Sequence, residues 1–159
     1  MEKQIVVRRN HVAAGLGALA LFVIAVQIAS SVRGADPVNP KPSHQVIACY
    51  FHRTQRCPTC RTISAYIEQS IRSGFAAQIK QGSVNMAMVD FQDPRNKKYA
   101  EAYNITGPTL VIMDVRDDKV TAWKPAPKVW SLVGKKDEFV RYVQGEVQSY
   151  LAGERTALR

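Results

Sequence analysis

The sequence predicts an α/β domain, a mixed central sheet with helices on both faces, carried behind one N-terminal transmembrane helix. Three observations lead there. Residues 12–32, VAAGLGALALFVIAVQIASSV, contain no charged side chain. From residue 46 onward, short β-branched and aromatic runs alternate with helical apolar stripes in the order β-α-β-α-β-β-α. A Cys-x-x-Cys pair, Cys57 and Cys60, falls where the first strand gives way to the first helix.

Residues 1–11, MEKQIVVRRNH, are short and basic. The uncharged stretch that follows is about 21 residues long, enough to cross a hydrocarbon core of about 30 Å as a helix. A basic flank ahead of it keeps the N-terminus in the cytoplasm and puts everything after Val32 outside. A cleaved signal needs a shorter apolar middle and small residues at −3 and −1. Ala29 and Ser31 meet that rule weakly and Arg33 with Ala35 does not, so a retained anchor is read. Residues 33–45 carry Pro37, Pro40 and Pro42 and form a stiff linker that lifts residues 46–153 off the membrane. The expected location is therefore the extracytoplasmic (periplasmic) face of the cell membrane, where disulfides persist.

Within the domain, residues 46–51, VIACYF, read as a buried strand. The helix over 57–72 has Pro58 in its first turn, where a missing N–H costs nothing, and Ile63, Ile67 and Ile71 as its buried stripe. Gly74 is its stop. Residues 84–91 form the second strand. Asp93-Pro94 then caps a helix to about Tyr103. Residues 109–115, TLVIMDV, and 119–124, KVTAWK, pair as a hairpin around Arg116-Asp117-Asp118. The last helix covers 135–152, with Phe139, Val143, Val147 and Tyr150/Leu151 on one face and Asp137 and Glu138 in its first turn, as the helix dipole prefers. Residues 154–159 are a polar tail. Trp123 and Trp130 are read as packing this helix against the sheet edge, with a partner-docking surface as the alternative.

Composition excludes several functions. The net charge is +9, but the basic residues are scattered and not interleaved with aromatics, so no nucleic acid partner is expected. There is no Gly-rich phosphate loop. Asp90, Asp93 and Asp114 are not patterned as a catalytic carboxylate pair. Cys49, the odd cysteine, sits in the first strand and reads as a small apolar core residue.

Arg56-Cys57-Pro58-Thr59-Cys60-Arg61 carries the chemistry. Two cysteines at this spacing form a redox pair, a structural disulfide, or half of a soft-metal site for Cu(I) or Zn that would draw on His52. A helix start favours the first. Unpaired N–H groups and the positive dipole end stabilise a Cys57 thiolate, and Arg56 and Arg61 add positive charge. Cys60, one turn on and more buried, is the resolving thiol. Pro58 stiffens the turn and Thr59 is small. No metal and no cofactor beyond the Cys57–Cys60 disulfide is expected.

The segment Asn104-Ile105-Thr106-Gly107-Pro108-Thr109-Leu110, about 50 residues after the cysteines, resembles the thioredoxin signature, so 46–153 resembles a thioredoxin-like domain. The resemblance implies a cis Gly107–Pro108 bond against the CxxC, with the Gly107 backbone hydrogen-bonding an extended substrate. The sequence departs from thioredoxins in three places. Pro-Thr replaces Gly-Pro between the cysteines, and Arg56 replaces the preceding Trp. The first strand has no buried acid, which leaves Tyr50 or His52 for that proton path. Tyr50-Phe51-His52, the run from Arg56 to Ile63, and Val129-Trp130-Ser131-Leu132-Val133-Gly134 with Phe139 and Tyr142-Val143 resemble the nitrophenyl-compound nitroreductase subunit (ArsF) family. That resemblance implies an electron-transfer subunit of an aromatic nitro-compound or arsenical reductase system. The expected partners are a protein dithiol or disulfide, or a membrane electron donor.

Overall fold

The computed structural model describes residues 42–153. The basic N-terminus, the membrane helix expected over 12–32, most of the linker and the tail lie outside the described residues. Among those residues, no helix is long and apolar enough to cross a membrane.

Four strands form one mixed sheet in the order β2-β1-β3-β4. Strand β1 (His44–His52) runs parallel to β2 (Val84–Asp90) and antiparallel to β3 (Thr109–Arg116), which pairs antiparallel with β4 (Lys119–Pro125). The parallel pair needs a crossover, and helices α1 (Pro58–Gly74) and α2 (Ala76–Gln81) supply it. The register sets His52 opposite Asp90 and Phe51 opposite Thr109. The C-terminal ends of β1 and β2 and the start of β3 therefore share one edge of the sheet, and the cysteines lie there.

Alternation along the strands divides the core in two. Val46, Ala48 and Tyr50 of β1 and Leu110 and Ile112 of β3 face α1 and the last helix, α4 (Lys136–Leu151). Ile63, Ile67 and Ile71 meet them at spacing four, with Phe139, Val143, Val147 and Tyr150 from α4; all are essentially excluded from solvent. Gly74 does more than end α1. A Cβ there would come within 2.7 Å of the Gln144 amide, which donates from α4 to the Ser70 carbonyl at 3.0 Å. Glycine lets the two helices close at that end.

The opposite face holds Cys49, Phe51, Val111, Met113 and Val115. The single helix expected from Asp93 to Tyr103 is a 3-10 turn (Pro94–Asn96) followed by the short α3 (Lys97–Ala102). Asp93 caps it as expected, accepting from the Arg95 amide at 2.9 Å. The sequence KKYAEA is too short and polar to offer an apolar stripe, and α3 buries nothing. Tyr103 and Ile105, just beyond it, pack on this face instead. Tyr103 lies 6.0 Å from Phe51 and edge-on to Trp123 at 5.5 Å, centroid to centroid. Trp123 therefore packs away from α4, against expectation, because its register opposite Met113 turns it to the other face. Helix α2 was not expected; it buries no residue and ends at Gly82, whose φ of 75° is left-handed.

At the far end of the sheet, Asp114 is buried against His44 and Arg116. His44 Nε2 lies 2.7 Å from one carboxylate oxygen, and Arg116 Nε lies 3.2 Å from the other. Thr121 donates to that second oxygen at 3.1 Å.

Candidate functional site

Cys57 is the N-cap of α1, with Pro58 at the first helical position. Its extended backbone, φ −70° and ψ 162°, turns the chain from the loop into the helix. The Cys57 sulfur accepts the backbone N–H of Cys60 at 3.2 Å, the bond that Ser or Asp makes at an ordinary cap. Cys57 is exposed and Cys60 is buried, and the two are at disulfide distance with Cα atoms 5.1 Å apart. Thr59 is exposed between them. Solvent therefore reaches the outer sulfur and is largely kept from the inner one.

Arg56 lies beside Cys57, and it makes a bond the sequence did not suggest. Its guanidinium turns inward and donates to Ser64 Oγ, which donates in turn to the Cys60 carbonyl at 2.9 Å. A half-buried cation is thus tied to the turn that holds the inner sulfur. The fully buried Tyr50 phenol is near enough to feel this charge. Burial raises its pKa and the Arg56 charge opposes the rise. The Tyr50 hydroxyl and Arg56 Nε are buried without hydrogen-bond partners. His52 turns to the loop, its Nδ1 2.9 Å from the Arg53 carbonyl. That carbonyl only accepts, so Nδ1 carries the proton. Cys49 is buried and free, with its thiol pushed up to about 12 by burial, and takes no part in exchange near neutral pH.

Beside Cys57 opens a cleft of about 580 Å³ lined by Arg53, Gln55, Arg56, Cys57, Pro58 and Gln92. Gln92 reaches it because β2 ends beside β1, and its side-chain oxygen accepts the Thr54 amide at 3.2 Å. Ser64, Arg53, Gln55 and Gln92 were not singled out from sequence. Only the pairing of two strand ends could have pointed to Gln92.

The Gly107–Pro108 expectation is corrected. No peptide bond among the described residues is cis, so this one is trans. The trans form is intrinsically favoured by about 0.5–1 kcal/mol before proline, and here local bonds engage it. Thr109 Oγ1 donates to the Gly107 carbonyl at 3.0 Å, and Trp130 Nε1 donates to the Pro108 carbonyl at 3.0 Å. The Gly107 carbonyl thus already accepts one bond from within the chain. Gly107 and Pro108 share the cysteines' end of the sheet but do not line the cleft.

Among the described residues, no three His, Cys, Asp or Glu side chains cluster to hold a metal ion. No protein-family model matches the sequence, and no curated protein matches it. Several solved structures align, among them two with low scores. One, described as a malarial protein, is 16% identical with a TM-score of 0.37, over 59% of this chain and 94% of its own. The other, chloroplastic thioredoxin z, is 20% identical with a TM-score of 0.36, over 74% of this chain and 89% of its own. Scores this low carry no weight. The sheet order and the helix-start cysteine pair are themselves consistent with a thioredoxin-like α/β fold, and they allow a redox role.

Proposed function

We propose that this chain is a membrane-anchored, extracytoplasmic thiol–disulfide oxidoreductase that cycles Cys57 and Cys60. One observation carries the reading: an exposed sulfur capping a helix, at disulfide distance from a buried one. A structural staple gains nothing from exposing one sulfur at a helix start, whereas an exchange site needs it there. In the dithiol, the Cys60 N–H that lies 3.2 Å from the Cys57 sulfur faces a thiolate and stabilises it. That thiolate attacks a partner disulfide and forms a mixed disulfide, releasing one partner thiolate. Cys60 then attacks the Cys57 sulfur, closes the Cys57–Cys60 bond and releases the second. Two electrons pass to the partner, and a dithiol, on a soluble partner or on a membrane electron donor, returns them by the reverse steps and is itself left as a disulfide.

The uncharged stretch over 12–32, read as an anchor, supports the placement, since disulfide cycling is at home outside the cytoplasm. Under the resemblance to the nitrophenyl-compound nitroreductase subunit family, the same couple serves as the electron-transfer subunit of a membrane reductase for aromatic nitro-compounds or arsenicals. Co-purification of a membrane reductase with the full chain tests that finer placement. The exchange step itself is tested by trapping. Cys60→Ser should accumulate a mixed disulfide on Cys57 with a partner protein, and Cys57→Ser should accumulate none. Equal trapping by the two variants would refute the assignment of nucleophile and resolving thiol.

A further inference from the structure

The cleft beside Cys57 is built from cations and amides and lacks a lining carboxylate. Arg53 and Arg56 line it, and Arg61 stands one turn along α1 from Cys57, its amide bonded to the Cys57 carbonyl at 3.1 Å. None of the three forms an ion pair among the described residues. Of the neighbouring acids, Asp93 and Glu68 are paired with arginines, while Asp90 keeps its charge beside the cleft. Asp90 accepts the Gln92 amide at 3.0 Å and bonds Thr54. Asp93 is held in a fork by Arg95 at 3.0 and 2.5 Å, and Glu68 pairs with Arg72 at 2.8 Å. Three arginines against the one Asp90 carboxylate still leave the balance of fixed charge at the reactive sulfur positive. Gln55 and Gln92 supply neutral donors and acceptors beside it.

We infer that the thiol or disulfide exchanging at Cys57 carries carboxylates next to its reacting sulfur, in the manner of a glutathione-type peptide or an acidic protein segment. The inference rests on the exchange reading above and adds its substrate class. A concave site of one sign concentrates ligands of the other, and guanidinium forks match carboxylates. The exchange balances as before. The Cys57 thiolate displaces one thiolate from the anionic disulfide, Cys60 displaces the other, and two electrons leave the protein dithiol for the substrate.

The test oxidises the reduced full-length chain, in nonionic detergent, with three small disulfides: anionic glutathione disulfide, neutral bis(2-hydroxyethyl) disulfide and cationic cystamine. Rates are referred to those of free 2-mercaptoethanol with the same probes, which removes leaving-group differences. The expected order is anionic, then neutral, then cationic. Arg53→Gln and Arg61→Gln should each lower the anionic-to-neutral ratio about threefold, and raised salt should lower it too. Arg72→Gln, at the other end of α1, should leave the ratio unchanged. Equal referred rates for the three probes overturn this inference while the redox reading stands. No exchange with any probe overturns the redox reading itself. Comparing glutathione disulfide with an acidic peptide disulfide of equal charge identifies the source of the carboxylates. A preference for either over the neutral probe supports the inference.

Discussion

Reducing the Cys57–Cys60 bond should leave the domain folded. The bond spans a sequence separation of 3, so it closes a very short loop. For about four residues the chain-entropy relation gives roughly 2 kcal/mol, against about 4.7 for a 100-residue loop. The reduced state recovers part of this. The Cys57 sulfur keeps the Cys60 N–H and the helix dipole, an interaction of about 0.3–1 kcal/mol for an anion at a helix start. The net loss is then about 1–2 kcal/mol, a fall in Tm of roughly 4–8 °C for a domain this size. Urea unfolding with and without reductant measures it, with the Cys57→Ser/Cys60→Ser double variant as a check that cannot reoxidise. A loss of 4 kcal/mol or more, or unfolding on reduction alone, would make the bond a structural staple and refute the reasoning.

Three further outcomes follow from the packing. Asp114→Ala should cost about 3 kcal/mol, the lower end for breaking a buried pair because His44 and Arg116 keep some solvent; thermal unfolding checks it, and a cost under 1 would deny Asp114 its structural part. Gly145→Ala should stabilise by up to about 1 kcal/mol in the same assay, since Gly145 lies inside α4 with open space where the methyl would go. Burial holds the folded Cys49 thiol near 12, so the unfolded chain releases that proton first. The resulting stability is complete below the ordinary thiol pKa of about 9 and is lost as pH rises through about 12. Unfolding measured between those values should show a shallower alkaline decline in Cys49→Ala, and an unchanged slope would contradict this assignment.

What could be read from the sequence was local or periodic. Ile63, Ile67 and Ile71 announce their helix by spacing, and Pro58 after Cys57 announces where it starts. The strand runs at 46–51 and 109–115 announce themselves by β-branched content and are buried as expected. What escaped depends on contacts distant in sequence. Nothing near Asp114 shows that it meets His44, since the pairing of β1 with β3 brings them together. Arg56 lines the cleft with Cys57, as a charge for that sulfur should, but nothing near it in sequence shows that Ser64, eight residues on, also takes a bond from its guanidinium. Trp123 follows the register of β4, which residue type does not fix. Signature resemblance implied a cis proline, yet the bond is trans, and the Pro108 carbonyl accepts from Trp130, 22 residues away. Helix α2 has no buried residue and so no apolar stripe to read.

The central claim is that Cys57 and Cys60 interconvert between disulfide and dithiol within a folded domain. Equilibrating the full chain in graded glutathione buffers, then alkylating and weighing the products, measures this directly. Complete, reversible conversion is expected, with one midpoint in the range of about −120 to −270 mV spanned by catalytic thiol–disulfide couples. A pair that stays oxidised below about −300 mV, or that reduces only as the domain unfolds, would contradict it.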